Sequence, residues 1–266
     1  MNRKTLESHI SSRKSLLCVG LDPVIDRLPE GISKDVDGVV EFCKQIIDAT
    51  LEYCVAYKPN LAFFESLGPK GFEAFAKTRA HIPDTHFVIA DAKRGDIGNT
   101  AKRYADAFFN HFTCDALTVA PYMGRDSVEP FLVENHWAIV LGLTSNAGSQ
   151  DFEQQKLVTG EFVWERVISQ CVEWGTPDNL MLVVGATKPE AFKRIRELAP
   201  ETFLLVPGIG AQGGDLEGVL KHGLIKGGGL LINSTRGIIY KSSGTDFAEA
   251  AAAEAKNLRD QMASWL

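Results

Sequence analysis

The stretch "HFVIADAKRGDIGNTAKRYADAFFNHF" (residues 86–112) contains one complete strand–turn–helix unit. Its apolar start has the length of a strand and ends at Asp91, and residues 99–112 carry apolar side chains at three-and-four spacing. Acidic and basic residues alternate between the two segments. An apolar strand followed by an amphipathic helix is typical of parallel sheets that helices cover on both faces.

The same unit recurs along the chain without a linker or a shift in composition, so we predict one domain, residues 1–266, with the α/β fold of a (β/α)₈ TIM barrel. A doubly wound open sheet is the alternative. The helix after the fourth strand, at 126–135, is short, and a helix at 187–199 opens with Thr187 and Glu190 in capping-box spacing. The predicted strands are 15–22, 54–60, 86–93, 116–121, 137–143, 180–186, 202–209 and 229–235.

Composition excludes several classes of protein. The 266 residues carry a net charge of −6 without a basic run, which argues against nucleic acid as a partner. Five cysteines without a CxxC pair, and histidines without helical ligand spacing, predict neither a disulfide scaffold nor a metal site. No signal-like N-terminus and no apolar run near the ~20 residues of a membrane span occur, so we predict a cytoplasmic protein without membrane contact.

Charged side chains occur where the first three predicted strands end, and in a barrel this is the face that carries chemistry. Asp91 and Lys93 are two residues apart on an extended chain, so they point to the same side at a spacing of roughly 6–7 Å. Lys58, on the neighbouring strand, is the expected partner of Asp91. Two alternatives stay open: Asp22 could only start a turn, and Lys58 could be a surface lysine.

Further polar residues extend this pattern. Asp96 and Thr100 lie where the chain turns into the next helix, and Asp96 could alternatively be a helix N-cap. The segment 208–215 holds four glycines, which allow backbone N–H groups to turn towards an anion, although it could also be only a flexible loop. Arg236 follows the last strand, and arginine is well suited to bind phosphate. Together the glycine-rich loop and the arginine predict a phosphorylated small-molecule substrate.

These residues resemble the orotidine 5′-monophosphate decarboxylase family, in particular its longer bacterial branch. The resemblance extends over nearly the whole chain, and the element D-x-K-x-x-D-I-x-x-T is its most specific part. The matching motifs are "LCVGLDP" (17–23), "YKPNLAFFE" (57–65), "DAKRGDIGNTA" (91–101), "LTSNAGS" (143–149), "VPGIGAQGGD" (206–215) and "INSTRGI" (232–238).

The resemblance implies a lyase that converts orotidine 5′-monophosphate (OMP) to UMP and CO₂ on a barrel, as a homodimer without metal or organic cofactor. The family's alternating Lys–Asp–Lys–Asp array corresponds to Lys58, Asp91, Lys93 and Asp96, with Lys93 as proton donor to C6. Asp96 and Thr100 are implied to reach into the partner subunit's site.

The substrate-binding residues follow from the same resemblance. Asp22 is implied to hold the ribose hydroxyls, Ser145 the amide edge of the pyrimidine, and Gln212 and Arg236 the phosphate. The loop 207–215 is the expected lid. Two alternatives remain: a metal-dependent relative on the same barrel that acts on a sugar phosphate, and a non-catalytic nucleotide-binding protein.

Overall fold

Eight parallel strands close into a barrel, each hydrogen-bonded to its neighbours in chain order, with the last strand paired to the first. The computed structural model describes residues 1–209 and 214–266. The barrel prediction is confirmed and the open-sheet alternative is wrong. The strands are β1 Leu17–Leu21, β2 Ala56–Pro59, β3 Phe87–Arg94, β4 Ala116–Val119, β5 Trp137–Leu143, β6 Leu180–Val184, β7 Phe203–Pro207 and β8 Leu230–Ser234.

Helices surround the barrel and connect its strands. Most of them follow the predicted amphipathic segments, because their apolar faces pack on the outside of the sheet. They are α1 Arg3–Arg13, α2 Val36–Thr50, α3 Leu61–Glu65, α4 Pro69–His81, α5 Gly98–Ala105, α6 Val163–Trp174, α7 Ala191–Leu198, α8 Leu216–Gly223, α9 Arg236–Ile239 and α10 Phe247–Ala263.

The strands are buried on both faces, as their apolar runs predicted. Every residue of β1, β4, β6 and β8 is buried. The ring of Trp137 at the start of β5 makes edge-to-face contacts with Phe87 of β3 and Phe203 of β7, each with a centroid distance of 6.1 Å. These contacts fill the end of the barrel where strands begin, so the opposite end is left to form a site.

Two connections and the N-terminal segment differ from the prediction. The segment after β4 forms two 3₁₀ turns, Arg125–Ser127 and Glu129–Phe131, because Pro130 lacks an N–H and its ring disfavours helical backbone before it. The predicted capping box at Thr187 does not form: α7 begins four residues later, after turns in which Ala191 donates to Lys188. Helix α1 was not predicted from its polar sequence.

No helix in the described ranges is both long and apolar enough to cross a membrane.

Candidate active site

A cavity of about 160 Å³ opens where the strands end at their carboxyl side. The ends of β1, β2, β3, β7 and β8 surround it. The polar residues at the strand ends predicted a site on this face of the barrel. The residues that line it are Asp22, Lys58, Asn60, Asp91, Pro207, Gly208, Ile209, Asn233, Thr235 and Arg236.

Asp91 is the centre of a charged cluster at this mouth. Lys58 Nζ donates to Asp91 Oδ2 at 2.6 Å, and Lys93 Nζ donates to Asp91 Oδ1 at 2.7 Å. The Lys58 residue is 5% exposed, so it is not a surface lysine. The Lys93 side chain is 51% exposed, so one ammonium is buried in the barrel while the other reaches solvent.

The charges of Asp91 and Lys58 keep each other ionised. Burial by itself raises the pKa of Asp91, but the adjacent ammonium groups of Lys58 and Lys93 outweigh it and hold that pKa well below its usual range. Burial by itself lowers the pKa of Lys58, but the negative charges of Asp91 and Asp22 outweigh it and leave the pKa raised. Asp91 and Lys58 therefore stay charged and present a fixed ion pair to a ligand.

A bulge at the end of β3 produces this geometry. Ala90 pairs with Leu117 and Arg94 with Val119, so β3 uses residues 91–93 where β4 uses Thr118 alone. Lys93 has a φ of 48°, in the left-handed region, which costs a non-glycine residue about 1–2 kcal/mol. The Lys93 ammonium therefore reaches the Asp91 carboxylate because the strand is distorted between them. Simple alternation of side chains along a regular strand does not explain this contact.

Thr118 takes over the hydrogen bonding at the bulge. The Lys93 backbone N–H donates to Thr118 Oγ1 at 2.9 Å, and the Thr118 hydroxyl donates to Asp91 Oδ1 at 3.0 Å. One buried hydroxyl thus connects the Lys93 backbone to the carboxylate that its side chain also contacts. We did not single out Thr118 in the sequence, where the only signal was a polar residue within the apolar run "ALTVAP".

Two buried acceptor oxygens on the cavity wall lack a hydrogen-bond partner among the described residues. They are Asp22 Oδ1 and Asn233 Oδ1. Burial raises the pKa of Asp22, and the charge of Lys58 only partly offsets that effect. The Asn233 amide donates to Thr235 Oγ1 at 3.2 Å. A ligand with hydroxyl or N–H donors would satisfy both oxygens.

A glycine in β1, Gly20, leaves the space that Thr235 of this wall occupies. A Cβ on Gly20 would lie 1.9 Å from Thr235 Oγ1, so only glycine lets Thr235 pack against β1. Asn233 and Thr235 are further site residues to which we assigned no role, although both belong to the motif "INSTRGI". The motif marks the end of β8, but the sequence does not say which of its side chains face the cavity.

Of the residues expected at the phosphate and at the pyrimidine, only Arg236 lines the described cavity. Arg236 is the exposed first residue of α9 and lines the cavity. Ser145 follows β5 and packs against the backbone at Gly185, where an added Cβ would lie 2.7 Å from Ser145 Cβ. Ser145 does not line the described cavity. Gln212 and its neighbours in the segment 210–213 of the expected lid lie outside the described residues.

Asp96 and Thr100 stand apart from the charged cluster. Asp96 is half-buried, and its Oδ1 accepts the N–H of the next residue, Ile97, at 2.8 Å. It is not the N-cap of α5, a position that Ile97 occupies, so the N-cap alternative is wrong. Thr100 is exposed on α5. Neither side chain forms a hydrogen bond or an ion pair with Lys58, Asp91 or Lys93 of the same chain.

Within residues 1–209 and 214–266, no group of three or more His, Cys, Asp or Glu side chains is arranged to hold a metal ion.

Comparison with known proteins gives a consistent result. Residues 15–253 match the model of the family described as "Orotidine 5'-phosphate decarboxylase / HUMPS family". The orotidine 5'-phosphate decarboxylase of Bacteroides fragilis is 52% identical over 270 residues, an alignment that covers 100% of this chain and 98% of the relative.

Solved structures resemble the chain along almost its whole length. A putative orotidine-monophosphate-decarboxylase from Toxoplasma gondii superposes with a TM-score of 0.87 at 38% identity, covering 98% of this chain and 97% of that one. The UMP synthase of Leishmania donovani superposes with a TM-score of 0.84 at 40% identity, and the match covers 96% of this chain but 56% of that longer one.

Proposed function

The chain belongs to the orotidine 5'-phosphate decarboxylase / HUMPS family and catalyses the decarboxylation of OMP to UMP, a step of pyrimidine biosynthesis, and we propose that Lys93 protonates C6. The observation that carries the proposal is the position of its ammonium, 2.7 Å from the Asp91 carboxylate at the mouth of the cavity and half exposed to solvent.

The proposed step begins with cleavage of the bond between C6 and the carboxylate. CO₂ leaves, and the electron pair stays on C6, where the ring offers no obvious electron sink. The Lys93 ammonium stabilises this developing negative charge and then transfers a proton to C6, which gives UMP. The neutral amine regains its proton from water, which the exposure of Lys93 allows.

Asp91 and Lys58 prepare Lys93 for this step. The carboxylate accepts from both ammonium groups, so the positive charge is oriented before the substrate arrives and needs no reorganisation during the reaction. Asp91 also presents negative charge to the carboxylate that departs. The buried charges of Lys58 and Asp91 compensate each other. Loss of either partner would leave a buried charge uncompensated, and we expect this to disturb the position of Lys93.

The remaining contacts bind the nucleotide. We assign the ribose hydroxyls to Asp22, whose buried Oδ1 has no partner within the described ranges and whose neighbours line the same cavity. We assign the phosphate to Arg236 and Gln212, with the segment 207–215 as a lid, and the pyrimidine amide edge to Ser145. Phosphate binding is remote from the bond that breaks, so its energy can be used for closure and positioning.

We also propose a homodimer in which Asp96 and Thr100 complete the partner's site. Large apolar side chains beside Asp96 support an interface there: Ile97 is 53% exposed, Tyr122 91% and Met123 51%. The ends of β3 and β4 that carry them are adjacent, since the Ala120 N–H donates to Arg94 O.

Mixing Lys58→Ala and Asp96→Ala proteins tests the shared site. A heterodimer would contain one intact and one doubly disabled site, so random subunit exchange should restore about one quarter of wild-type activity. Exchange confirmed by differently tagged subunits, without recovery of activity, would exclude sharing.

The Lys93→Ala variant tests the proton donor. It should bind UMP and unfold like the wild type but show essentially no loss of OMP in an ultraviolet assay, because both the charge at C6 and the proton are removed. Lys256→Ala, on the exposed face of α10, is the control and should retain full activity. Near-normal turnover by folded Lys93→Ala would refute the assignment.

We propose that no metal or organic cofactor takes part and that the enzyme acts in the cytoplasm. The Lys58 ammonium supports the first point, because it lies where a metal ion would be repelled. The five cysteines are all free and buried, which suits a reducing compartment. Turnover that is unchanged by EDTA is expected, and loss of turnover that a divalent cation restores would favour the sugar-phosphate relative.

A further inference from the structure

We infer that Arg94 is a positioning residue for Lys93: from the outer side of the barrel its guanidinium holds the β3 bulge in the conformation that points Lys93 at Asp91. The inference rests on the proposed role of Lys93 as proton donor. The Lys93 ammonium hydrogen-bonds to Asp91, which lines the cavity, whereas the Arg94 guanidinium contacts helices outside the barrel, so Arg94 would act without touching the substrate.

The bulge is a conformation that needs support from its surroundings. Lys93 is held at a φ of 48°, and a non-glycine residue stays in this region only where neighbouring contacts over-determine it. Regular pairing resumes at Arg94, which pairs with Val119 and whose carbonyl accepts from the Ala120 N–H at 2.8 Å. Because Arg94 is the first residue after the bulge, its anchoring limits how Lys93 can relax.

The guanidinium of Arg94 makes contacts on three sides. Its Nη1 donates to the Ala92 carbonyl at 3.0 Å, a group that belongs to the bulge itself. Its Nη2 forms an ion pair with Glu65, the last residue of α3. Its Cζ lies 5.4 Å from the ring centroid of Tyr104 and 5.5 Å from that of Phe108. These contacts tie the bulge to the helical layer outside the barrel.

An arginine suits this set of contacts better than a lysine does. A planar guanidinium can donate to a carbonyl and a carboxylate in different directions while its faces lie near aromatic rings, whereas a lysine ammonium offers one compact charge. Tyr104 belongs to α5, the helix that also carries Thr100. Arg94 therefore connects Lys93 of one site to the helix that we propose completes the partner's site.

The test compares Arg94→Met, Arg94→Lys and Glu65→Gln with Lys256→Met, a change of an exposed α10 residue whose ion pair with Asp260 is 3.3 Å long. In Arg94→Met, kcat should fall by about 10- to 100-fold, since misplacement by about 1 Å can cost on the order of 10²-fold. KM for OMP and the Kd of UMP should stay within about twofold, because the binding contacts are intact. Arg94→Lys and Glu65→Gln should show smaller losses of kcat, and Lys256→Met none.

A folded Arg94→Met protein with wild-type kcat would overturn the inference. It would also be overturned if kcat and UMP binding fell by equal factors that match the fraction of unfolded protein. If Arg94→Met does not fold, Arg94→Lys and Glu65→Gln decide, and wild-type kcat in both refutes positioning. These outcomes are separate from the proposed function, which fails only if Lys93→Ala retains turnover.

Discussion

Replacing Thr118 by valine tests the hydrogen-bond chain that the bulge depends on. Valine has nearly the same shape, so the change removes the hydroxyl and little else. The hydroxyl donates to the charged Asp91 carboxylate at 3.0 Å and accepts from the Lys93 N–H at 2.9 Å, and the residue is 1% exposed. The change therefore removes two hydrogen bonds, and both connect Thr118 to residues of the charged cluster.

The magnitude follows from these two bonds. A hydrogen bond to a charged group contributes about 1.5–3 kcal/mol, and one between neutral groups about 0.5–1.5 kcal/mol. Water can reach the half-exposed Lys93, so its N–H is not left wholly unsatisfied. We expect Thr118→Val to lower the free energy of unfolding by about 2–4 kcal/mol, and to lower kcat because Lys93 loses a backbone anchor.

Thr78→Val is the matched control. Thr78 is also fully buried, but its hydroxyl lies beside the Cys43 thiol and has no nitrogen or oxygen partner among the described residues. Its replacement should cost little stability. Urea unfolding followed by tryptophan fluorescence measures the difference, and initial rates of OMP loss measure kcat. Equal stabilities of the two variants, with unchanged kcat in Thr118→Val, would refute the hydrogen-bond chain.

Two further outcomes follow from other parts of the molecule. His86 is 2% exposed, and burial, together with the nearby Arg13, lowers its pKa from 6.5 to about 4. The unfolded state therefore binds a proton more readily than the folded state between these pH values. Relative to His86→Gln, the free energy of unfolding should fall by roughly 3 kcal/mol as the pH falls from 6.5 towards 4. Urea titrations of both proteins that stay parallel from pH 7 to 4 would contradict this. Arg236→Ala should raise KM for OMP by about tenfold or more, because a charge-assisted phosphate contact is lost; an equal loss with orotidine, which lacks the phosphate, would show that Arg236 has another role.

Local patterns in the sequence were sufficient to predict the barrel. Apolar runs of strand length alternate with amphipathic helices, and this periodicity depends only on neighbouring residues. The same reasoning placed Lys58, Asp91 and Lys93 at one end of the sheet, since parallel strands end together. The wrong details, at 126–135 and 187–199, both involve prolines, whose local effect outweighs the apolar pattern.

The geometry of the charged cluster was decided by the tertiary structure. Strand alternation predicted that Asp91 and Lys93 share a side, but their 2.7 Å contact comes from a bulge that depends on how β3 pairs with β4. Thr118 and Asn233 joined the site through strand register, which brings together residues far apart in the chain. The sequence by itself therefore determined the fold and which charged groups meet, because those follow from local periodicity and strand polarity. Their distances, burial and unpartnered oxygens depend on register and on the left-handed turn at Lys93, and those appear only when the barrel closes.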